Sequence, residues 1–427
     1  MDAQLTVFLF EHKAGLLQQE DGRLRFSYDP IWLTDPAAMP LSQSLPLRKE
    51  SFDDRASRPF FAGLLPEGDL RVRLAKILQV SRKNDFALLD GLGGECAGAV
   101  TLLPGDGQAM ENLVAPAPQW LDDEALALLL DTLPKRPMLA GLADLRLSLA
   151  GAQDKLPVLV EEKNGHLRVA VPPRLAPSSH ILKPEIPDLP GSVHNEAFCM
   201  TLASACGLTA ARAFPHGIPA SGDIFLLVER YDRHMEEGGQ IRRLHQEDFC
   251  QALGVAPEYK YQNEGGPDAM ACFGLLRSAA RPSAPEVLRL LDYVIFNALV
   301  GNNDAHAKNF SLLYQERYPT LAPMYDVLCT AVYPHLSERM AMKIGGKYRF
   351  NDLLCRHWEA FAQSSDLSPA QVKKRVLHMA KLIPHQADKL LRGFTASGLF
   401  HEILDSILVI IKERCTLSIR RLEGLSS

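Results

Sequence analysis

The 427-residue chain contains no apolar run long enough to cross a bilayer. The most apolar stretch near its C-terminus, around Ile407 to Ile411, falls far short of the roughly 20 residues a membrane helix needs, so no membrane span or membrane partner is expected. No secretion signal is expected either. The N-terminal apolar run meets Glu11, His12 and Lys13 early, and it has neither a basic leader nor a small-residue cleavage site. The eight cysteines form no CxxC pair and sit mostly inside apolar segments, which argues against a zinc ribbon or disulfide framework and for reduced core thiols in the cytoplasm. A formal charge of -5 excludes the excess of Lys and Arg that autonomous nucleic-acid binding requires, although DNA can still be met through a partner. No internal repeat or low-complexity tract appears, and neither the P-loop nor the G-x-G-x-x-G pattern occurs.

What is present, with 47% hydrophobic residues, is enough for two or three packed units. Residues 4–28 alternate apolar and polar positions, with turn signals at Gly15 and Asp21-Gly22, as a small antiparallel sheet does. From Pro59 to Leu92 the period becomes helical, before the strand-like Gly98-Ala-Val-Thr-Leu-Leu103. Residues 104–118 are rich in Pro, Gly and acidic or polar residues and read as a linker, which places a boundary near residue 110. A helix is expected near residues 122–133. Residues 145–160 read as two strand-like runs around a small-residue turn, followed by a hairpin at Asn164-Gly165. A strand ending in His180-Ile-Leu-Lys183, a helix over about 194–206 and a strand over 224–231 complete a mixed lobe, 111–231. Beyond Asp232 helical periodicity dominates. Val287, Leu288, Leu291, Val294, Ile295, Ala298 and Leu299 form one stripe ending at Gly301, and Ile403, Leu404, Ile407, Leu408, Ile411 and Cys415 form another. A strand-rich lobe followed by a helix-rich lobe, 232–427, suggests a ligand cleft.

The densest chemistry lies in Gly301-Asn-Asn-Asp-Ala-His-Ala-Lys-Asn-Phe-Ser311. Asp304 and Asn309 have the D-x-x-x-x-N spacing of a phosphotransferase loop, in which the Asp accepts a hydroxyl proton and the Asn binds Mg²⁺. Alone, the spacing equally suits a solvated loop whose Asn and Asp satisfy turns. Further on, Met324-Tyr-Asp-Val327 sets a lone carboxylate, Asp326, among apolar residues, as a Mg²⁺ ligand would be set; the alternatives are an Asx turn or a helix N-cap. Lys183 stands where an ammonium reaches ATP phosphates, or it is a solvated edge charge. Glu196 either pairs with Lys183 or complements a helix dipole. The turn Ala150-Gly-Ala-Gln-Asp-Lys155 offers small residues that let backbone N–H groups approach a phosphate and a nearby ammonium; as an isolated feature it is a plain hairpin.

Taken together, Ser148-Leu-Ala-Gly-Ala-Gln-Asp-Lys155, Ile181-Leu-Lys183, Val228-Glu-Arg-Tyr-Asp-Arg233, Gln246-Glu-Asp-Phe-Cys250, Asp304-Ala-His-Ala-Lys-Asn-Phe-Ser311 and Tyr325-Asp326 resemble the HipA family of bacterial toxin kinases over nearly the whole chain. Leu41-Ser-Gln-Ser-Leu-Pro-Leu47, Phe61-Ala-Gly-Leu-Leu-Pro66 and Gly98-Ala-Val-Thr-Leu102 resemble that family's N-terminal subdomain. The resemblance implies an α+β, two-lobed, protein-kinase-like fold, with a strand-rich N-terminal lobe that includes the small subdomain 1–110 and an all-helical C-terminal lobe. It implies a Ser/Thr protein kinase that uses ATP and Mg²⁺, with ATP between the lobes. Carried over by motif, Ala150, Gly151, Ala152, Gln153, Asp154, Lys155 and Lys183 contact phosphates, and Glu229, Arg230 and Tyr231 line the adenine side. Asp304 is the base, Asn309 and Asp326 hold the metal, and His306, Ala307, Lys308 and Tyr325 line the same pocket. Ser148 matches the serine on which these kinases phosphorylate themselves, expelling the phosphate loop; without the family it would be a turn hydroxyl.

The implied substrate is glutamyl-tRNA synthetase, and the implied partner is HipB, a helix-turn-helix antitoxin that bridges the kinase to operator DNA. One departure matters. Where HipA offers basic residues to that DNA, this chain has Gln363-Ser-Ser-Asp366, so direct DNA contact is not supported. A small-molecule or lipid kinase would share the ATP machinery, and a non-catalytic scaffold in a repressor complex is the third reading.

Overall fold

The computed structural model describes residues 3–105, 117–142, 145–163, 166–219, 221–315 and 318–424. The hairpin expected at Asn164-Gly165 and most of the expected linker, residues 106–116, lie outside them. The chain forms two compact units: residues 1–184, 216–257 and 313–315 in the first, and 185–215, 258–312 and 316–427 in the second.

The first unit opens with the expected antiparallel sheet. Strands β1 (Ala3–Leu9), β2 (His12–Glu20), β3 (Arg23–Tyr28) and β4 (Val100–Pro104) run in the order β3-β2-β1-β4. The register Glu20↔Arg23 leaves Asp21-Gly22 as a two-residue turn with φ of 49° and 77°, the double positive φ that Asp-Gly supplies most readily. On β1 every residue from Leu5 to Leu9 is buried, so both faces of this strand are covered. The helices Asp54–Gly63, Gly68–Ile77 and Asp85–Leu92 follow β3, the first capped by Asp53 and the third by Asn84.

In the second sheet of this unit, Leu156–Lys163 lies between His166–Val171 and His180–Pro184, and Ile224–Glu229 pairs antiparallel with His180–Pro184 in the register Lys183↔Leu226. Two expectations need correction. Residues 145–149 do not form a strand; they make one isolated parallel bridge, Leu147↔Glu95, because Glu95 bonds on both sides of it, from its N–H to the Arg146 carbonyl (2.8 Å) and from the Ser148 N–H to its own carbonyl (2.9 Å). The strand expected to reach Tyr231 stops at Glu229, where the Arg230 guanidinium turns into a buried ionic cluster.

The second unit is built mainly from the helices Ser192–Ala205, Ala269–Ala279, Ser283–Val300, Cys355–Ser364, Pro369–Ala396 and Ile403–Glu423. Helix Ser283–Val300 ends as its sequence predicts: Gly301 takes φ 86° and its N–H returns to the Asn297 carbonyl. Val372, Val376, Met379, Ala380, Ile383 and Ala387 bury the helical stripe of Pro369–Ala396, which packs on Ile403–Glu423 through Leu404, Ile407, Leu408, Ile411 and Cys415. The α+β class stands, but this part of the chain is not purely helical. An antiparallel hairpin, Arg339–Ile344 with Lys347–Arg349, is set among its helices. Among the described residues no helix is long and apolar enough to cross a membrane, and all eight cysteines are free.

Candidate active site

The polar loop after Gly301 is built by its own asparagines. Asn302 is buried, donates to the Asn297 side chain (2.8 Å) and accepts from the Asp304 N–H (3.1 Å). Asn303, also buried, donates its N–H to the Thr330 hydroxyl oxygen (2.8 Å) and its side-chain nitrogen to the Ser337 carbonyl (3.2 Å), and its own carbonyl accepts from Ala341 N–H (2.8 Å). The Asp304 carbonyl accepts from His306 N–H (2.8 Å) and from the Asn309 side-chain nitrogen (3.2 Å). These bonds fix the backbone of Asp304 while its carboxylate is exposed and accepts the Tyr261 hydroxyl on Oδ1 at 2.7 Å. The loop therefore does more than satisfy turns: Asn302 and Asn303 perform that task, and a carboxylate is presented on top of it. In Asn309 the amide nitrogen is engaged, which assigns the oxygen as the atom able to meet a cation.

His306, Ala307 and Lys308 are buried beneath the loop. Tyr325 braces them: its hydroxyl donates to the Lys308 carbonyl (2.7 Å) and shares a hydrogen bond with Ser311 (2.6 Å). The next residue, Asp326, is half-buried between the buried Met324 and Val327 and has φ 52°. Among non-glycine residues aspartate and asparagine adopt this left-handed backbone most readily. The N-cap alternative for Asp326 falls away, since the next helical turn, Thr330–Val332, is preceded by Cys329.

In the first unit, Gly151 has φ 110° and a Cβ there would lie 2.7 Å from Lys155 Nζ, so only glycine leaves this small cradle open. Lys155 is buried and donates to the Ala150 carbonyl at 2.8 Å. The rest of the turn is clamped from the N-terminal segment: Glu67 N–H donates to Gly151 carbonyl (3.0 Å), Arg73 pairs with Asp154 (2.9 Å), and Gln153 donates to the Pro184 carbonyl (3.3 Å). Ala152 is exposed. Ser148 is fully buried and donates to the Leu64 carbonyl at 2.7 Å. Lys183 is 3% exposed, which excludes a solvated edge charge. Glu196 is buried in the second turn of its helix, past the first-turn N–H groups that a dipole partner serves. Of the three residues expected beside adenine, Glu229 is exposed, Tyr231 is half-buried and donates to Gln246, and Arg230 is committed to Glu95 and Asp232.

Among the described residues no cluster of three or more His, Cys, Asp or Glu side chains is arranged for a metal. Mg²⁺ of the phosphotransferase kind takes one or two protein oxygens and completes its shell with phosphate and water. The donors Asn309 and Asp326 fit such an ion, and the Gly151 cradle fits a phosphate. Sequence reasoning missed Tyr261, Asn302 and Asn303 as parts of the site. The two asparagines are adjacent to Asp304 and a count of polar residues includes them, but Tyr261 is distant in sequence and carries no motif.

Known proteins match along most of the chain. The family model described as the HipA-like C-terminal domain matches residues 147–387, and that of the HipA N-terminal domain matches residues 5–103. A Sinorhizobium fredii protein named "Putative kinase Y4mE" is 48% identical over 364 residues, 85% of each chain. The "Serine/threonine-protein kinase toxin HipA" of Shewanella oneidensis is 29% identical over 360 residues, covering 82% of this chain and 80% of that one. The solved complex of Shewanella oneidensis HipA with HipB and operator DNA contains a chain of the same fold, with TM-score 0.79 at 23% identity over 98% of this chain and 97% of that one.

Proposed function

Because the chain belongs to the HipA family of kinases, we propose that it is a Ser/Thr protein kinase toxin that moves the γ-phosphoryl group of ATP to a protein serine. The observation that carries this reading is Asp304, an exposed carboxylate on a backbone immobilised by Asn302, His306 and Asn309. In the proposed division of labour, 1–110 is the N-terminal subdomain, 111–231 carries the phosphate loop, and 232–427 carries the catalytic and metal-binding loops. Residues 150–155 and Lys183 would hold phosphates, and Glu229, Arg230 and Tyr231 would line the adenine side. Asn309 and Asp326 would hold Mg²⁺, which when bound neutralises phosphate charge. Asp304 would orient the acceptor hydroxyl and take its proton, with His306, Ala307, Lys308 and Tyr325 supporting that loop.

Ser148 is the proposed self-inactivation site. Its hydroxyl is buried, so a phosphate of about two negative charges has no room there, and phosphorylation requires residues 145–155 to leave their bridges to Glu95 and Pro66. The proposed acceptor in trans is glutamyl-tRNA synthetase, the proposed partner a HipB-type antitoxin with which the chain acts as co-repressor on operator DNA, and the proposed compartment the cytoplasm. HipB and operator DNA accompany the Shewanella HipA in its solved complex, which supports the partner. Here residues 363–366 give DNA no basic group.

Asp304→Ala should abolish label transfer from ATP to Ser148 and to any protein acceptor while ATP binding persists. Mass spectrometry of intact chain and of a host lysate reads this directly. Undiminished transfer by the variant removes Asp304 as the base, and label arriving only in lipids or metabolites turns the assignment to a small-molecule kinase.

A further inference from the structure

Tyr261 lies outside the expected motifs and touches the reacting group. We propose that it is a positioning residue: its hydroxyl holds Oδ1 of Asp304, so that Oδ2 is the oxygen that takes the acceptor proton. The inference rests on the kinase reading above. Asp304 has its backbone N–H and carbonyl already tied within the loop, which leaves the side-chain torsions as the remaining freedom. On an exposed residue these torsions interconvert freely, and a base that wanders between rotamers spends little time in line with its acceptor. The 2.7 Å bond from Tyr261 removes that freedom at one oxygen and leaves the other for chemistry. When transfer occurs, the acceptor hydroxyl gives its proton to Oδ2 as its oxygen bonds to the γ-phosphorus, and the bond from that phosphorus to the departing ADP breaks.

A positioning residue must itself be rigid, and the structure supplies three constraints. The Tyr261 ring stands edge-on to the buried His306, centroids 5.1 Å apart at 82°. The turn that carries it closes on the Tyr261 carbonyl, which accepts from Glu264 N–H (3.0 Å) and Gly266 N–H (2.9 Å). At Gly266 a Cβ would lie 2.0 Å from the Tyr259 carbonyl oxygen, so this closure depends on glycine. Gln262, next to Tyr261, accepts the Lys343 N–H at 2.7 Å, and two residues earlier on the same strand Ala341 N–H donates to the Asn303 carbonyl. One strand, Arg339–Ile344, therefore holds both the turn with Tyr261 and the loop with Asp304 in a common frame.

The test uses the full-length chain with labelled ATP and Mg²⁺, reading protein phosphorylation on the chain itself and in a dialysed host lysate. Tyr261→Phe keeps the ring and removes the hydroxyl; transfer at saturating ATP should fall about tenfold, with ATP affinity and thermal midpoint unchanged. Gln262→Ala, which frees the turn but keeps the hydroxyl, should show the same signature more weakly. Transfer by Tyr261→Phe at the wild-type rate, with only Tyr261→Ala impaired, would assign Tyr261 to ring packing and overturn the proposal. Asp304→Ala run in parallel separates the two failures. If it is inactive while Tyr261→Phe is fully active, the kinase reading stands and the positioning role falls. If it transfers normally, or if the wild type labels no protein, both fall.

Discussion

Glu95→Gln preserves the shape of a side chain and deletes one charge from the ionic cluster at the centre of the first unit. Glu95 is 1% exposed and accepts from Arg230, Arg233 and Arg243 and from the N–H and hydroxyl of Ser178. Asp232 pairs with Arg230 and Arg233, so the native cluster sets two carboxylates against three guanidiniums and the variant leaves one. Burial acts to raise the Glu95 pKa, but Arg233, Arg243 and Arg230 outweigh it and hold the carboxyl well below the usual carboxylate range. Breaking a buried ion pair from one side costs about 3–5 kcal/mol, because the stranded charges stay out of water. Asp232 still answers two of the arginines, and the Arg243 side chain is 12% exposed, so we expect the lower end, about 3 kcal/mol. Hydrogen exchange during urea titration reads first-unit peptides apart from the rest, which a single optical signal from two units does not. Exchange should also accelerate over 145–155, since Glu95 backbone atoms bond on both sides of Leu147. The folded pKa is depressed, so the stability from Glu95 exists above the unfolded value of 4.5 and is lost as pH falls below it; the deficit of the variant should shrink there. A loss under about 1 kcal/mol near neutrality, or a deficit unchanged on acidification, would refute the electrostatic account.

Glu247 titrates in the opposite sense. Burial outweighs its hydrogen bonds from Ser42, Tyr314 and Gln43 and pushes the carboxyl up to about 7, so its share of stability is present below the unfolded value and lost as pH rises through about 7. The thermal midpoint of Glu247→Gln should therefore gain on wild type between about pH 5 and pH 8, and a difference flat across that range would count against it. The neighbouring His245, lowered to about 4 by burial, loses stability as pH falls below its ordinary value, and it cancels in this comparison because both chains keep it. Gly151→Ala forces a side chain into φ 110° and against Lys155 Nζ. ATP affinity measured by calorimetry should weaken by about tenfold and stability should fall by about 1–3 kcal/mol, and full affinity would remove the cradle from the phosphate site.

Much of this architecture was legible in one sequence, and the reason is local. Asp21-Gly22 specifies its turn through the φ values that Asp and Gly tolerate, and Gly301 ends its helix for the same cause. The stripe from Val287 to Leu299 announces the helix by period, although Leu288 and Val294 within it are only half-buried and Leu290, Tyr293 and Phe296 outside it are buried. Where reading failed, long-range bonds decided. Residues 145–149 have strand composition, yet their partner is Glu95, and the side chain of Arg230 lies on a strand-like run but is claimed by Glu95 and Asp232. The hairpin 339–349 hides in a helical context because its value lies in what it holds.

By itself the sequence determined the family and the order of the motifs, and it put forward Asp304, Asn309 and Asp326 as candidates, since these are matters of residue type and spacing. The tertiary structure alone decided that Ser148 is buried beneath Leu64, that Asp326 takes a left-handed backbone, and that Tyr261 reaches the Asp304 carboxylate. The burial of Ser148 and the reach of Tyr261 depend on groups brought together across tens of residues, and no local propensity encodes such an approach; it follows from how packed elements satisfy their buried polar atoms.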